Sequence, residues 1–429
     1  MNSDFKFSLM GDEIAAGSGI KTLMDDLGQA FAEGGDEILM LGGGNPAHIP
    51  AMEEVWKKRM LEISQSPDTL RRMLGIYDSP QGNTQFIRTL ASMLEKEYSW
   101  PIGPENVAIT NGGQTAFFCL FNLLAGNSSQ GQARKILLPI IPEYIGYANQ
   151  GLDASLFHGY RPQLEETAPH RFKYHVDFNR LEIDESIAAI CVSRPTNPTG
   201  NVLENSEMAH LSQLAKEHGI PFIIDNAYGQ PFPSIVFKDV QPLWAEHHLF
   251  VMSLSKLGLP GTRTAAIIAP PEIIQMVTSM TAIMGLANGN LGQTITHPLI
   301  ESREILRLSR DIIQPYYRKK RDFALQVVEH AFPKHSNYAL HETDGALFLW
   351  LWLKDCPVTS LEFYERLKKR NVLVVPGDYF FFGLSEEDKN WRHRHECLRI
   401  SFSMNDDVVE RGLKIIGEEI EAVYRSCPK

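Results

Sequence analysis

Between residues 107 and 290, short unbroken apolar runs alternate with longer stretches of helical period. No other feature of the chain restricts its fold as much. The runs are "NVAIT", "KILLPI", "IAAICVSRP", "PFIIDNAY", "LFVMSLS" and "RTAAIIAP". Helix-like segments such as "NGGQTAFFCLFNLLA" and "NSEMAHLSQLAKEHG" lie among them, and "EYIGYANQ" is expected to open another helix. A strand that is apolar along its whole length must be covered on both faces. The pattern therefore implies an α/β fold with a parallel or mostly parallel sheet between helical layers. In such sheets ligands gather beyond the carboxyl ends of the strands.

The flanks read differently. "GIKTLMDDLGQAFAEG" has the stripe of a helical arm, and "ILMLGGGNPAHIP" is a short strand breaking into a glycine turn. Helices are expected from Met52 to about Ser64 and over "NTQFIRTLASMLEKEY". Past residue 295 come a long helix over about 298–332, bent near Pro315, then "GALFLWLWL", "SLEFYERLKKR", "VLVVPG", "CLRISFSM" and a last helix. That succession describes a smaller α+β unit. A chain of 429 residues is long for one core. The expected division is 1–49 as an N-terminal arm and part of the small domain, 50–295 as the large α/β domain, and 296–429 as the small domain.

The formal net charge of -11 and the lack of a basic patch argue against nucleic acid or an anionic membrane as partner. The five cysteines are scattered without a CxxC, which fits a reducing compartment. The opening "MNSDFKFSLMGDE" has no basic start followed by an apolar stretch, and no run of eighteen apolar residues occurs. A cytoplasmic location, with no membrane contact, is the expectation.

Four short segments carry candidate chemistry. "SLSKLGLPGTR", Ser253–Arg263, sets a lysine among two hydroxyls, turn glycines and an arginine. A lysine in a tight loop either snorkels to water or acts as a nucleophile; hydroxyls, turn amides and an arginine can hold a phosphate dianion. Asp225 ends an apolar strand in "DNAY". It either caps the next element or pairs with a protonated heterocycle nitrogen. In "SRPTNPTG", Pro195 and Pro198 stiffen a loop around Asn197, which is either a plain turn or an aimed amide. "TNGGQTAFF" places glycines at the start of an apolar helix, an anion site if amides face a ligand. Neither a GxGxxG nor a GxxxxGKS/T motif occurs.

Taken together and in this order, "NPTG", "DNAY", "SLSK" and "GTR" resemble the pyridoxal-phosphate-dependent aminotransferases of fold type I, class I/II, over nearly the whole chain from "GGGNP" to "LRISF". The resemblance implies that fold, with pyridoxal 5′-phosphate as cofactor. It implies that Lys256 joins the cofactor aldehyde, that Asp225 pairs with the ring nitrogen, and that Tyr228 and Asn197 bond the ring's phenolic oxygen. Tyr144 of "PEY" would stack on the ring. Gly113, Gln114, Ser253, Ser255 and Arg263 would hold the phosphate, although the loop from Lys256 to Arg263 is one residue shorter than usual in the family. Arg399 of "CLRISF" and Gly44 of "GGNP" would meet the substrate carboxylate, with Asn197 beside them. Tyr77 of "YDSPQG" would reach the phosphate of a neighbouring subunit, so a homodimer with shared sites is implied.

Within the family, "MLGGGNPA", "PEYIGYA", "IDNAYGQPFP" and the lysine segment resemble the bacterial valine–pyruvate branch. That implies transfer of an amino group from valine to pyruvate, giving 3-methyl-2-oxobutanoate and alanine. "SMTAIMGLANGN" shows no arginine for a second carboxylate, which agrees with an apolar side chain. Broad or aromatic specificity, or a lyase on the same cofactor, would use the same ring-binding residues. A regulator with fused DNA-binding helices would need a basic N-terminal module, whereas the segment before "GGGNP" is acidic. His393, His395 and Cys397 in "HRHEC" read as a polar loop or a metal cluster, and "DYFFFG" at 378–383 as a packed loop or a pocket wall. No metal is expected.

Overall fold

The computed structural model describes residues 6, 11, 12, 28, 37–128, 131–153 and 155–425, so most of the expected helical arm lies outside the described residues. The six apolar runs supply six of the eight strands of the larger of two main sheets. Its order is Val107–Thr110, Ala265–Ile268, His248–Ser253, Phe222–Asp225, Ile187–Ser193, Ala133–Leu138 and Gly126–Asn127, with Phe157–Gly159 also pairing to Ala133–Leu138. Five strands run parallel, from His248–Ser253 across to Phe157–Gly159, and Ala265–Ile268 lies antiparallel to both of its neighbours. Every residue of Ile187–Ser193 and His248–Ser253 is buried, as unbroken apolar runs require. Helices pack on the sheet by one face. Thr84–Tyr98 is capped by the Asn83 side chain, which accepts from the Phe86 N–H at 3.0 Å, and it buries Phe86, Ile87, Leu90 and Leu94.

The second sheet has six strands in the order Val375–Pro376, Cys397–Ser401, Phe348–Leu353, Tyr338–His341, Arg171–His175 and Gln163–Ala168. The last two come from the stretch between large-sheet strands and pair with the C-terminal segments. Trp350 and Phe348 are fully buried on this sheet, so "FLWLWL" is a core strand. A short parallel pair, Leu39–Met40 with Val372–Leu373, ties the start of the described chain to the same unit. The Leu41 N–H donates to Leu373, and the Leu41 carbonyl accepts from Ser401, at 2.8 and 2.7 Å. These bonds hold the glycine turn 42–44 over the carboxyl edge of the large sheet.

Two elements depart from expectation. "EYIGYANQ" forms only a single tight turn, Ile145–Tyr147, because both of its tyrosine rings are pinned in the site described below. The long helix expected over about 298–332 is broken. Leu291–Glu301 ends at Ser302, Arg303 takes a left-handed conformation (φ 60°), and a widened turn, Ser309–Ile313, leads into Gln314–Ala331. Pro315 directly follows the widened turn in a run that is helical from Glu304 to Ala331, so the expected irregularity near Pro315 takes the form of that widening, which accommodates the missing N–H. Among the described residues no helix is long and apolar enough to cross a membrane.

Candidate active site

Three neighbouring parallel strands end in Ser193, Asp225 and Ser253. Ser193 pairs directly across from Asp225, and Asp225 across from Val251. Asp225 is buried. Its Oδ2 accepts from the Tyr147 hydroxyl at 2.5 Å and its Oδ1 from the Ala227 N–H at 2.9 Å. Burial pushes its carboxyl up to about 6, against the pull of these two donors and of Lys256. Tyr147 was not anticipated from sequence. The available signal was its spacing: in a 3₁₀ turn, residues three apart share a face. The Tyr144 and Tyr147 rings accordingly meet edge-on at 5.3 Å.

Lys256 lies in the single turn Ser255–Leu257, closed by Gly258 at φ 93°. Its Nζ donates to the Gly44 carbonyl at 2.5 Å and stands 5.2 Å from the centre of the Tyr228 ring. Burial lowers this amine to about 8; Arg399 and Arg263 push the same way and Asp225 opposes. Tyr228 itself is buried, and burial raises its hydroxyl well above the usual range.

Beside the lysine an anion cradle is formed. Gly112 has φ 86°, and a Cβ added there would fall 2.1 Å from a guanidinium nitrogen of Arg263. The shortened loop therefore still delivers Arg263 to the start of the helix Gly113–Leu124. Ser253 donates its hydroxyl to Ser255 at 3.0 Å and accepts from the Ser255 N–H at 3.1 Å. The Gln114 side chain turns away, donating to the Gly146 carbonyl at 2.9 Å, so it braces the Tyr144–Tyr147 turn. Helix amides, two hydroxyls and an arginine suit a phosphate dianion, and Asp225 suits a protonated ring nitrogen. Tyr144 supplies an aromatic face and Lys256 an amine that can be uncharged near neutral pH. The donor set fits pyridoxal phosphate. Gly112→Ala should lower cofactor affinity by about tenfold or more, because it combines backbone strain of about 1–2 kcal/mol with displacement of Arg263. Titration of the apoprotein with cofactor measures this, and unchanged affinity would contradict the assignment of the cradle.

Arg399 arrives from the second sheet. It donates from one Nη to Asn197 Oδ1 at 2.8 Å and from the other to the Gly42 carbonyl at 2.7 Å. Its guanidinium carbon lies 4.3 Å from the Phe348 ring centre and 5.3 Å from that of Phe380. Its Nε is buried with no hydrogen-bond partner. Burial lowers even this group, to about 10. A buried fork of donors between two aromatic rings suits a carboxylate. In the glycine turn the Gly42 carbonyl faces Arg399 and the Gly44 carbonyl faces Lys256.

Comparison with known proteins agrees with this geometry. The family model for aminotransferase class I and II matches residues 36–416. The chain belongs to this family. The chain is 46% identical over 421 residues to valine–pyruvate aminotransferase of Escherichia coli (strain K12), covering 97% of this chain and 99% of that one. Among solved structures, a putative amino-acid aminotransferase from Psychrobacter arcticum superposes with TM-score 0.95 at 40% identity, covering 99% and 100% of the two chains. Valine–pyruvate aminotransferase from Salmonella typhimurium superposes with TM-score 0.87 at 44% identity, covering 95% and 100%. The protein is a pyridoxal-phosphate-dependent aminotransferase of fold type I, acting on pairs of amino acid and 2-oxo acid.

In this aminotransferase Tyr77 is not brought to Lys256 within the chain; it is 81% exposed on the surface. Of the "HRHEC" residues, His393 is buried, bonded to the Tyr174 hydroxyl and stacked on Trp391 at 4.6 Å, while His395 pairs with Asp378. These contacts make the segment part of the packing of the second sheet. Among the described residues no three His, Cys, Asp or Glu side chains are grouped to hold a metal ion. The aromatic run divides: Phe380 and Phe381 are buried, and Phe380 covers Arg399.

Proposed function

We propose that this aminotransferase binds pyridoxal 5′-phosphate and exchanges an amino group between valine and pyruvate. The observation that carries the substrate reading is a chamber of about 250 Å³ beside Lys256. Pro46, Ala47, Ile49, Met52 and Trp56 line it, and among the described residues no arginine does. Two further wall groups, the His48 ring and the Glu53 carboxylate, bond each other at 2.9 Å near solvent. Such a space accepts a branched aliphatic side chain and offers no mate to a second carboxylate. The name of the Escherichia coli relative supports the same pair of substrates.

Bound pyridoxal phosphate supplies an electron sink that acidifies the substrate α-carbon. In the proposed roles, Arg399, with Asn197 and the glycine turn at Gly44, orients the substrate carboxylate. Lys256, held where its neutral form is accessible, takes the proton from the α-carbon and would deliver it to the former aldehyde carbon of the cofactor, as amino-group transfer requires. Asp225, fixed by Tyr147, faces the ring nitrogen; Tyr228 and Asn197 face the ring's phenolic oxygen; Tyr144 covers the ring. Gly113, the Gln114 backbone, Ser253, Ser255 and Arg263 take the phosphate. Tyr77 serves the phosphate of a second copy. Its exposure, with that of Leu74, Ile76, Ile283 and Leu286, supports a homodimer that covers these apolar side chains.

A half-reaction screen tests the substrate reading. Holoenzyme mixed with single amino acids should lose its cofactor absorbance band fastest with valine and alanine, and slowly with aspartate. Fastest reaction with aspartate would overturn the valine assignment and leave the family intact. Turnover that needs no 2-oxo acid would favour a lyase instead.

A further inference from the structure

Glu143 has no solvent exposure at all and has no task in the reading above. It stands immediately before Tyr144, in the loop that follows the strand Ala133–Leu138. Its Oε1 accepts from the Ser193 N–H and the Ser193 hydroxyl, both at 2.9 Å. Its Oε2 accepts from the same hydroxyl at 2.8 Å and from the Tyr144 N–H at 3.0 Å. Its own N–H donates to the Phe380 carbonyl at 3.1 Å, and Phe380 is one of the rings covering Arg399. Ser193 pairs across from Asp225, and the next N–H, of Arg194, donates to the Asp225 carbonyl at 2.9 Å. Glu143 thus ties the residue that covers the ring to the strand beside the residue that faces the ring nitrogen.

No cation is among its hydrogen-bond partners. The titratable groups around it are Cys191 on the Ser193 strand, Tyr144 and Tyr147 on the adjoining turn, and Asp225 on the next strand. The cation of this cluster, Lys256, acts on Asp225. Burial therefore pushes Glu143 up to about 7, with Asp225 adding to the rise and the Ser193 and Tyr144 donors opposing it. A hydroxyl or an amide would clamp Ser193 at less desolvation cost than a carboxylate. The influence of Asp225 on Glu143 is relieved when a cation enters between the ring-binding walls.

We propose that Glu143 is a positioning residue for the cofactor ring: through Ser193 and the Tyr144 amide it holds the floor and the covering face of the site, and its charge reinforces Asp225 in selecting a ring whose nitrogen carries a proton. The inference rests on the assignment of Asp225 to the ring nitrogen. The test compares two ligands on the apoenzyme, pyridoxal phosphate and its analogue with carbon in place of the ring nitrogen. Dissociation constants are read from tryptophan fluorescence.

The wild type should prefer the nitrogen-containing ligand, Glu143→Gln should narrow that preference about tenfold, and Glu143→Asp should restore most of it. A purely structural role would weaken both ligands equally and leave their ratio alone, and an unchanged ratio overturns the inference. Should Glu143→Gln fail to fold, Glu143→Ser, neutral and smaller, is held to the same narrowing. Asp225→Asn is the control and must collapse the ratio. If it does so while the neutral Glu143 variants do not, only the role of Glu143 falls; if it does not, the assignment of Asp225 falls as well.

Discussion

Lys256→Ala should lower transamination at least about a thousandfold while the protein still binds pyridoxal phosphate. Covalent capture and proton transfer both depend on this one amine, and general acid–base catalysis alone contributes roughly 10²–10⁴-fold. Asp225, Tyr144 and the cradle around Arg263 are untouched by the substitution, so the cofactor should remain bound without a covalent link. Borohydride treatment followed by mass measurement separates the two states: an adduct at position 256 in the wild type and none in the variant. A variant that turns over at the normal rate would end the proposed mechanism. The electrostatics add a pH prediction. The amine attacks only when unprotonated, and its folded value is lowered to about 8. The rate of covalent capture should therefore rise as pH climbs through about 8 and level off above it. An ordinary exposed lysine would keep rising to about pH 10.

Arg399→Ala should reduce kcat/KM by about 10²–10³-fold for valine and alanine alike, because both present the same carboxylate to the same fork. Truncating one partner of a buried charge pair costs about 2–5 kcal/mol. The structure adds two reasons to expect the upper part of that range. The guanidinium is held between Phe348 and Phe380, and its bonds to Asn197 and Gly42 join the two sheets. Arg399→Lys should recover little, since a point charge reproduces neither the fork nor the stacking. Steady-state kinetics with both amino donors checks this. A loss below about fivefold, or one confined to valine, would show that Arg399 does not hold the shared carboxylate.

The elements of the site differ in how openly the chain announces them. Asp225 and Ser253 are legible because each ends an apolar strand, and Lys256 because it follows three residues beyond Ser253, at the edge where such sheets place ligands. Asn197 and Arg399 were legible through their motifs. The shortened loop before Arg263 left its position open, and Gly112 resolves it by leaving room for the guanidinium. Gln114 stands in the first turn of the helix Gly113–Leu124, and its side chain braces Gly146. Tyr77 was singled out for a neighbouring subunit, and within one chain it is only an exposed tyrosine.

Local periodicity by itself determined the unbroken apolar strands, most of the helices and the edge at which chemistry gathers, because the burial of a strand or a helix face depends on neighbours a few residues away; Phe157–Gly159, Gln163–Ala168, Arg171–His175 and Tyr338–His341 carry no such run and appear only in the assembled sheets. Tertiary structure alone decided the partners of the buried polar groups. Arg399 meets the Gly42 carbonyl across 357 positions of chain, and Tyr147 meets Asp225 across 78. Glu143 could be recognised as buried only once the strands ending at Leu138 and Ser193 were seen as neighbours. Hydrogen-bond partners of this kind follow from strand order, and strand order is a property of the assembled sheet that no stretch of adjacent residues contains.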